Sequence, residues 1–196
     1  MKRFDGFENL LDKALSLCDG EPCVIGIDSP CASGKTTLAD LLAAEIGGKR
    51  GICAGIIHMD DFFLPPNLRT PERLAQAGGN VDYERFSRQV VEKLGTDMFA
   101  YDVYNCEDDS CRRSELIYTN LPIIVEGVYC LHPFFGDYVN LRVFVKSDKS
   151  ARIKRLRQRC DDEKFMNFVN KWIPLEDKYF DEYEIEKTCN VKLENN

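Results

Sequence analysis

The feature that most constrains this chain is the run Ser29-Pro30-Cys31-Ala32-Ser33-Gly34-Lys35-Thr36-Thr37, set between two segments of opposite character. Before it lies Cys23-Val24-Ile25-Gly26-Ile27-Asp28, a nearly continuous apolar run that reads as a buried parallel strand. After it, residues from about Thr36 to Ile46 carry helical spacing, and Gly47-Gly48 is expected to stop that helix. Strand, loop and helix in this order match the phosphate-binding pattern G-x-x-x-x-G-K-[ST] from its second glycine onward. Ser29 stands where the first glycine belongs. Pro30 brings no N–H, so the anion-binding backbone has to be built from Cys31 onward.

The residue types follow from the chemistry. Backbone N–H groups converge on phosphate oxygens, Gly34 permits close approach, and the positive end of the helix dipole faces the anion. Lys35 supplies a mobile cation, and the Thr36 hydroxyl is a hard oxygen ligand suited to Mg²⁺. Ser29, Cys31, Ala32, Ser33, Gly34, Lys35, Thr36 and Thr37 are the candidate contacts for ATP. Cys31 has two readings, a redox-sensitive thiol at a helix start or a small side chain that fits the loop. Nothing in the sequence points to thiolate character, which favours the second.

Further along, apolar and helical runs alternate. Residues 7–18 have helical spacing and are expected to stop at Asp19-Gly20-Glu21-Pro22. Ile52 to Met59, Ile123 to Gly127 and Leu141 to Val145 read as further strands, and Asn190 to Leu193 as an edge strand. Asp82 to Leu94, 148–160 and 163–180 read as helices, with Pro174 kinking or breaking the last. Phe99 to Tyr104 and Leu116 to Tyr118 suit hairpin arms, and the Pro/Gly-rich stretch 65–80 is a long loop of the kind that is commonly functional. Alternation of this sort predicts an α/β chain: a three-layer α/β/α P-loop NTPase fold with a mainly parallel sheet of about five strands, a small hairpin excursion and a helical lid. The 196 residues are expected to form a single domain, 1–196, with its lid at about 148–163 and a loop on the second-substrate side at about 61–82.

Net charge is −7, which argues against a nucleic-acid-binding module, and no apolar run approaches a membrane span. The start of the chain has no apolar signal core, so a cytoplasmic location is expected. With nine cysteines, an odd number, and no export signal, the cysteines are expected to be reduced, and those in apolar runs (Cys23, Cys53, Cys130) to be small buried residues. No Cys-x-x-Cys pair exists and histidines number two, so no zinc site is expected.

Carboxylates end two of the strands. In an open α/β sheet, ligands lie beyond the carboxyl ends of strands. Asp60-Asp61 is placed there to take a proton from an acceptor hydroxyl, and Glu126 to hold Mg²⁺, through a water where needed.

Several segments in order carry a resemblance: Ile25 to Ser29 with Thr36 to Ala39, His58-Met59-Asp60-Asp61-Phe62-Phe63, Gly78 to Phe86, Tyr101-Asp102, Val125 to Tyr129, and Arg152 to Arg159. Together they resemble the uridine kinase family of P-loop kinases, which also relates to phosphoribulokinase-type enzymes. The resemblance implies transfer of the γ-phosphoryl group of ATP to the 5′-hydroxyl of a nucleoside such as uridine or cytidine, with Asp60 as base. It implies Lys35, Arg155 and Arg159 as catalytic cations, and Asp61, Phe63, Asp82, Tyr83, Tyr101 and Arg152 around the acceptor. Its partners would be a nucleotide and a small-molecule acceptor, with neither nucleic acid nor membrane. One departure matters. The family carries a base-reading histidine shortly after the Tyr-Asp pair, where this chain has Val103-Tyr104-Asn105-Cys106. A kinase of another small alcohol (pantothenate, a sugar or a ribosyl compound) and a nucleotide-binding regulatory NTPase are the alternatives.

Overall fold

The apolar runs become the strands of one parallel sheet. The computed structural model describes residues 4–18, 22–106 and 108–195. The elements in order are α1 (Phe7–Leu17), β1 (Val24–Asp28), α2 (Lys35–Arg50), β2 (Gly55–His58), α3 (Pro71–Leu74) and α4 (Tyr83–Gln89). Next come β3 (Met98–Phe99), β4 (Asp102–Asn105), β5 (Ser110–Arg113), β6 (Ile117–Tyr118), β7 (Ile123–Glu126) and β8 (Leu141–Lys146). The last are α5 (Lys149–Arg159), α6 (Asp162–Asn167), α7 (Ile173–Tyr183), α8 (Ile185–Thr188) and β9 (Val191–Glu194).

The main sheet has the order β2-β7-β1-β8-β9 with every pairing parallel. Its central strands are buried along their whole length, which is why they read as continuous apolar runs. Successive side chains still part to opposite faces. Ile25, Ile27, Ile124, Val143 and Val145 pack with Leu10, Leu11, Leu38, Leu42 and Ile46 of α1 and α2. Ile57, Ile123, Val125 and Phe144 face the other way, into an aromatic layer with Phe62, Phe86, Phe135 and Tyr179. The expected three layers are present.

Four expectations are corrected. First, α2 does not stop at Gly47-Gly48. It runs to Arg50 and ends on Gly51, which adopts the left-handed conformation (φ 67°) and returns its N–H to Gly47 O at 2.8 Å. The glycines weaken a helix interior by only ~1 kcal/mol each, and the buried Ile46 anchors that turn to the core. Second, the excursion is larger than expected. β4 pairs with β5, a wholly exposed and polar strand with no apolar alternation to announce it, while β3 pairs with β6. Third, 163–180 is not one helix. A π-helical turn, Phe168–Trp172, joins α6 to α7, just ahead of Pro174, whose missing N–H precludes a regular ladder there. Fourth, Cys18 and Cys23 are joined by a disulfide, with their Cα atoms 5.5 Å apart, within the usual span of such a bond. Cys53 is exposed, not buried, whereas Cys130 is buried as expected. The proposed stop at 19–21 and the basic pair near the start lie outside the described residues. Among the described residues no helix is long and apolar enough to cross a membrane.

Asp28, the last residue of β1, is fully buried and ties the aromatic layer to the sheet. Its Oδ2 accepts from Tyr179 Oη of α7 at 2.7 Å and from Leu131 N–H at 3.1 Å. Burial pushes its carboxyl up to about 6, against the lowering effect of those two bonds. A buried carboxyl with a raised value costs stability as pH rises from about 4 through 6, and the Tyr179 bond offsets that cost once Asp28 is charged. Tyr179→Phe is therefore expected to destabilise the fold by about 1–3 kcal/mol, more at pH 8 than at pH 5. Denaturant melts at the two pH values check this; an equal loss at both would separate the hydroxyl from Asp28.

Candidate active site

The loop that follows β1 is held from behind. Ser29 is fully buried; its hydroxyl donates to Asp28 O and accepts from Val145 N–H of β8 at 2.6 Å. The serine in place of glycine thus fastens the loop's first residue to the neighbouring strand, and its side chain is turned away from the cavity. Ala32 and Gly34 take positive φ values of 58° and 104°. A Cβ added at Gly34 would lie 2.4 Å from Asn195 Nδ2, so glycine is required there for both conformation and space.

Five successive loop carbonyls each have a cation or amide behind them. Lys35 Nζ donates to Ser29 O at 2.8 Å and Pro30 O at 3.2 Å. Arg152 Nη1 reaches Cys31 O at 3.3 Å, Arg155 Nη1 reaches Ala32 O at 3.2 Å, and Asn195 Nδ2 reaches Ser33 O at 2.6 Å. With the carbonyls engaged, the first-turn N–H groups of α2, which lack intrahelical acceptors, are left to meet an anion. The Cys31 N–H is already engaged, by Glu176 Oε2 of α7 at 2.8 Å. Burial raises the Glu176 carboxyl above its usual range, with Lys35 opposing. The Cys31 thiol is pushed up to about 12, by burial first and then by the charge of Glu176. It stays protonated at neutral pH, which supports the reading of Cys31 as a small loop residue.

A cavity of about 400 Å³ opens in front of the loop. Of the residues singled out from sequence, Cys31, Ala32, Gly34, Lys35, Thr36, Thr37, Asp60, Phe63, Glu126 and Arg159 line it. Thr36 Oγ1 donates to Glu126 Oε1 at 3.1 Å, and His58 Nδ1 lies 2.7 Å from the same oxygen. That bond raises the His58 value, so a buried carboxylate is held beside a half-buried imidazole. The Thr36 hydroxyl and Glu126 carboxylate are hard oxygen donors converging on one point, a donor set that fits Mg²⁺. Asp60 is exposed at the cavity, with the surrounding protein displacing part of its hydration. Burial raises its carboxyl, Glu126 and Asp61 add to that, and Lys35 and His58 oppose it.

The remaining predicted residues lie elsewhere. Asp61 turns from the cavity, its Oδ2 accepting from Tyr101 Oη at 2.9 Å. Asp82 caps α4, accepting from Arg85 N–H at 2.9 Å and from Arg85 Nε at 3.2 Å. Tyr83 donates to Gln76 Oε1 and packs under the Arg73 guanidinium, at a separate surface cleft with His132 and Phe134. Arg152 is buried and Arg155 is bonded to Ser147 and Asn195 as well as to the loop. Of the three arginines read as site cations, only Arg159 faces the cavity. Sequence reasoning missed Arg69, Asn80, Cys106, Tyr129, Phe168, Trp172 and Glu176, which also line it. Cys106 was noted only as the residue in place of a histidine. Asn80 and Tyr129 lie inside segments that carry the resemblance but were not singled out, and Arg69, Phe168, Trp172 and Glu176 come from a loop and two helical segments with no motif of their own.

No family model matches the chain. Uridine kinase-like protein 3 of Arabidopsis thaliana is 28% identical over 155 residues, which is 74% of this chain and 32% of the relative. Uridine kinase-like protein 4 of the same plant is 30% identical over 146 residues, 69% of this chain and 29% of the relative. The chain thus spans about a third of the length of the curated relatives it matches. Among solved structures, one described as a possible uridine kinase from Bacillus stearothermophilus superposes with a TM-score of 0.73 at 23% identity, covering 95% of this chain and 96% of that one. D-glycerate 3-kinase from Cryptococcus neoformans gives 0.63 at 15% identity (88% and 89% covered), and phosphoribulokinase from Rhodobacter spheroides 0.56 at 12% (89% and 70%). In sequence the chain is similar to the uridine kinase-like proteins over most of its own length, and in fold it is similar to these solved kinase structures.

Proposed function

We propose that this chain is an ATP-dependent kinase that transfers the γ-phosphoryl group to the hydroxyl of a small alcohol. The observation that carries the reading is the meeting, in one cavity, of the loop cation Lys35, the Thr36–Glu126 oxygen pair and the Asp60 carboxylate. In this reading the nucleotide's phosphates lie on the α2 N-terminus, with Lys35 and Arg159 countering the charge on the transferring group. Thr36 and Glu126 would hold Mg²⁺, which would supply further charge neutralisation on the phosphates. Asp60 accepts the hydroxyl proton as the acceptor oxygen bonds to the γ-phosphorus; the bond to the bridging oxygen breaks and ADP leaves. A raised carboxyl makes Asp60 a stronger base than an ordinary aspartate. Residues 1–196 act as a single domain in this reading, with 148–163 as lid and 61–82 as the acceptor-side loop, in a cytoplasmic setting.

The names of the curated relatives suggest uridine, and the first reading of the acceptor is accordingly a nucleoside 5′-hydroxyl, of uridine or cytidine. A second reading, an alcohol other than a nucleoside, is favoured by Cys106, which stands at the cavity where a base-reading histidine would be expected. A site built to hydrogen-bond a base loses that discrimination when the bonding group is absent.

Asp60→Asn is expected to lower kcat by ~10²–10⁴ with little change in ATP affinity. Near-wild-type turnover would exclude Asp60 as the base. Lys35→Ala should weaken both nucleotide binding and turnover, since it removes charge stabilisation that grows in the transition state; unaltered ATP kinetics would contradict the phosphate assignment. In the wild type, the acid limb of the kcat/KM profile should lie above that of an ordinary aspartate, because Asp60 must be deprotonated to act. A limb at or below pH 4, read from rates between pH 4 and 9, would exclude a raised Asp60 as the group responsible.

A further inference from the structure

The cavity holds one cation that the phosphate chemistry does not use. Arg69 belongs to the Pro/Gly-rich loop that follows Asp60. Its Nε donates to Leu64 O at 2.6 Å, its Nη2 lies 3.9 Å from Cys106 Sγ, and its guanidinium carbon is 5.4 Å from the Trp172 ring centre. None of these contacts is part of the phosphate loop.

Three arginines from neighbouring segments are neutralised. Arg73 pairs with Glu84 at 2.7 Å, Arg85 with Asp82 at 3.2 Å and Arg113 with Asp102 at 2.9 Å. Arg69 alone of these lines the cavity, and it has no ion pair with any described residue. Its Nη1 group makes no hydrogen bond to a described residue either. The carboxylates Asp60 and Glu176 lie within the electrostatic reach of Lys35, on the loop side. The cavity that Arg69 lines also carries Phe63, Phe168 and Trp172, with the Trp172 ring against its guanidinium. A half-buried guanidinium without an ion pair among the described residues presents a planar fork that suits two parallel bonds to a carboxylate or phosphate.

We infer that the phosphoryl acceptor is an anionic alcohol, whose carboxylate or phosphate group is gripped by Arg69 while its hydroxyl lies against Asp60. The inference rests on the phosphotransfer reading and narrows its acceptor away from neutral nucleosides.

The test uses matched acceptors with and without the anion: glycerate and glycerol, pantothenate and pantothenol, ribose 5-phosphate and ribose. Binding of each is measured by calorimetry to the intact protein with Mg²⁺ and a non-hydrolysable ATP analogue, so the readout does not depend on turnover. At least one anionic member is expected to bind about tenfold or more tightly than its neutral counterpart, as a charge-assisted pair should. The carboxylate and phosphate arms identify which group is taken. Arg69→Ala should abolish that gap while leaving affinity for the ATP analogue and the melting temperature near wild type. Arg69→Lys, which keeps charge and loses the fork, should fall between. The inference is overturned if neutral members bind as tightly as their partners, if no anionic member binds, or if the gap survives in Arg69→Ala. ADP release is read in parallel; a binding gap without release would count against phosphoryl transfer and not against the anion grip.

Discussion

A phosphate-binding loop must turn its N–H groups one way, and that obliges its carbonyl oxygens to find donors on the other. Most of what is specific to this chain answers that obligation. Lys35, Arg152, Arg155 and Asn195 come from α2, α5 and the segment after β9, and between them they satisfy the carbonyls of residues 29–33. Ser29 adds a strut to β8. Elements far apart in sequence are therefore tied to one turn of backbone, and the sheet order, with β1 between β7 and β8, is what lets them reach it.

The same economy governs charge. Lys35, a cation available to an incoming phosphate, has its Nζ on loop carbonyls, and Glu126 shares one oxygen between Thr36 and His58. Asp60 makes no such bond to a described residue and has its carboxyl raised by partial loss of hydration and by like charges. The acidic groups next to the loop thus fall into two kinds, those held by partners and one left open to the cavity. In the reading proposed above, this is the difference between positioning groups and a base.

The sheet and its two helical layers were legible because buried parallel strands leave continuous apolar runs and helices leave a spacing, as at Ile25 and Ile27 or at Leu38 and Leu42. What sequence could not show was direction. Arg152, Arg155 and Arg159 lie on one short helix and look alike, yet two point to loop carbonyls and one to the cavity. Asp60 and Asp61 are neighbours, and a single step of backbone sends one to the cavity and the other to Tyr101. Glu176 approaches the loop from 145 residues away along the chain, a contact with no local signature. The Cys18–Cys23 bond escaped a rule based on count and compartment, because what allows it is the 5.5 Å between the two Cα atoms, a distance that neither count nor compartment reports.

Trp172 closes the π-helical turn, lies half-buried in the cavity wall, and has Lys171 at 4.6 Å and Arg69 at 5.4 Å from its ring. It is the chain's one tryptophan. Its indole emission therefore comes from a single place, beside cations whose field alters when an anion settles among them. The molecule carries its own optical probe of that wall, and titrations of unlabelled protein can follow what enters without any reaction having to occur.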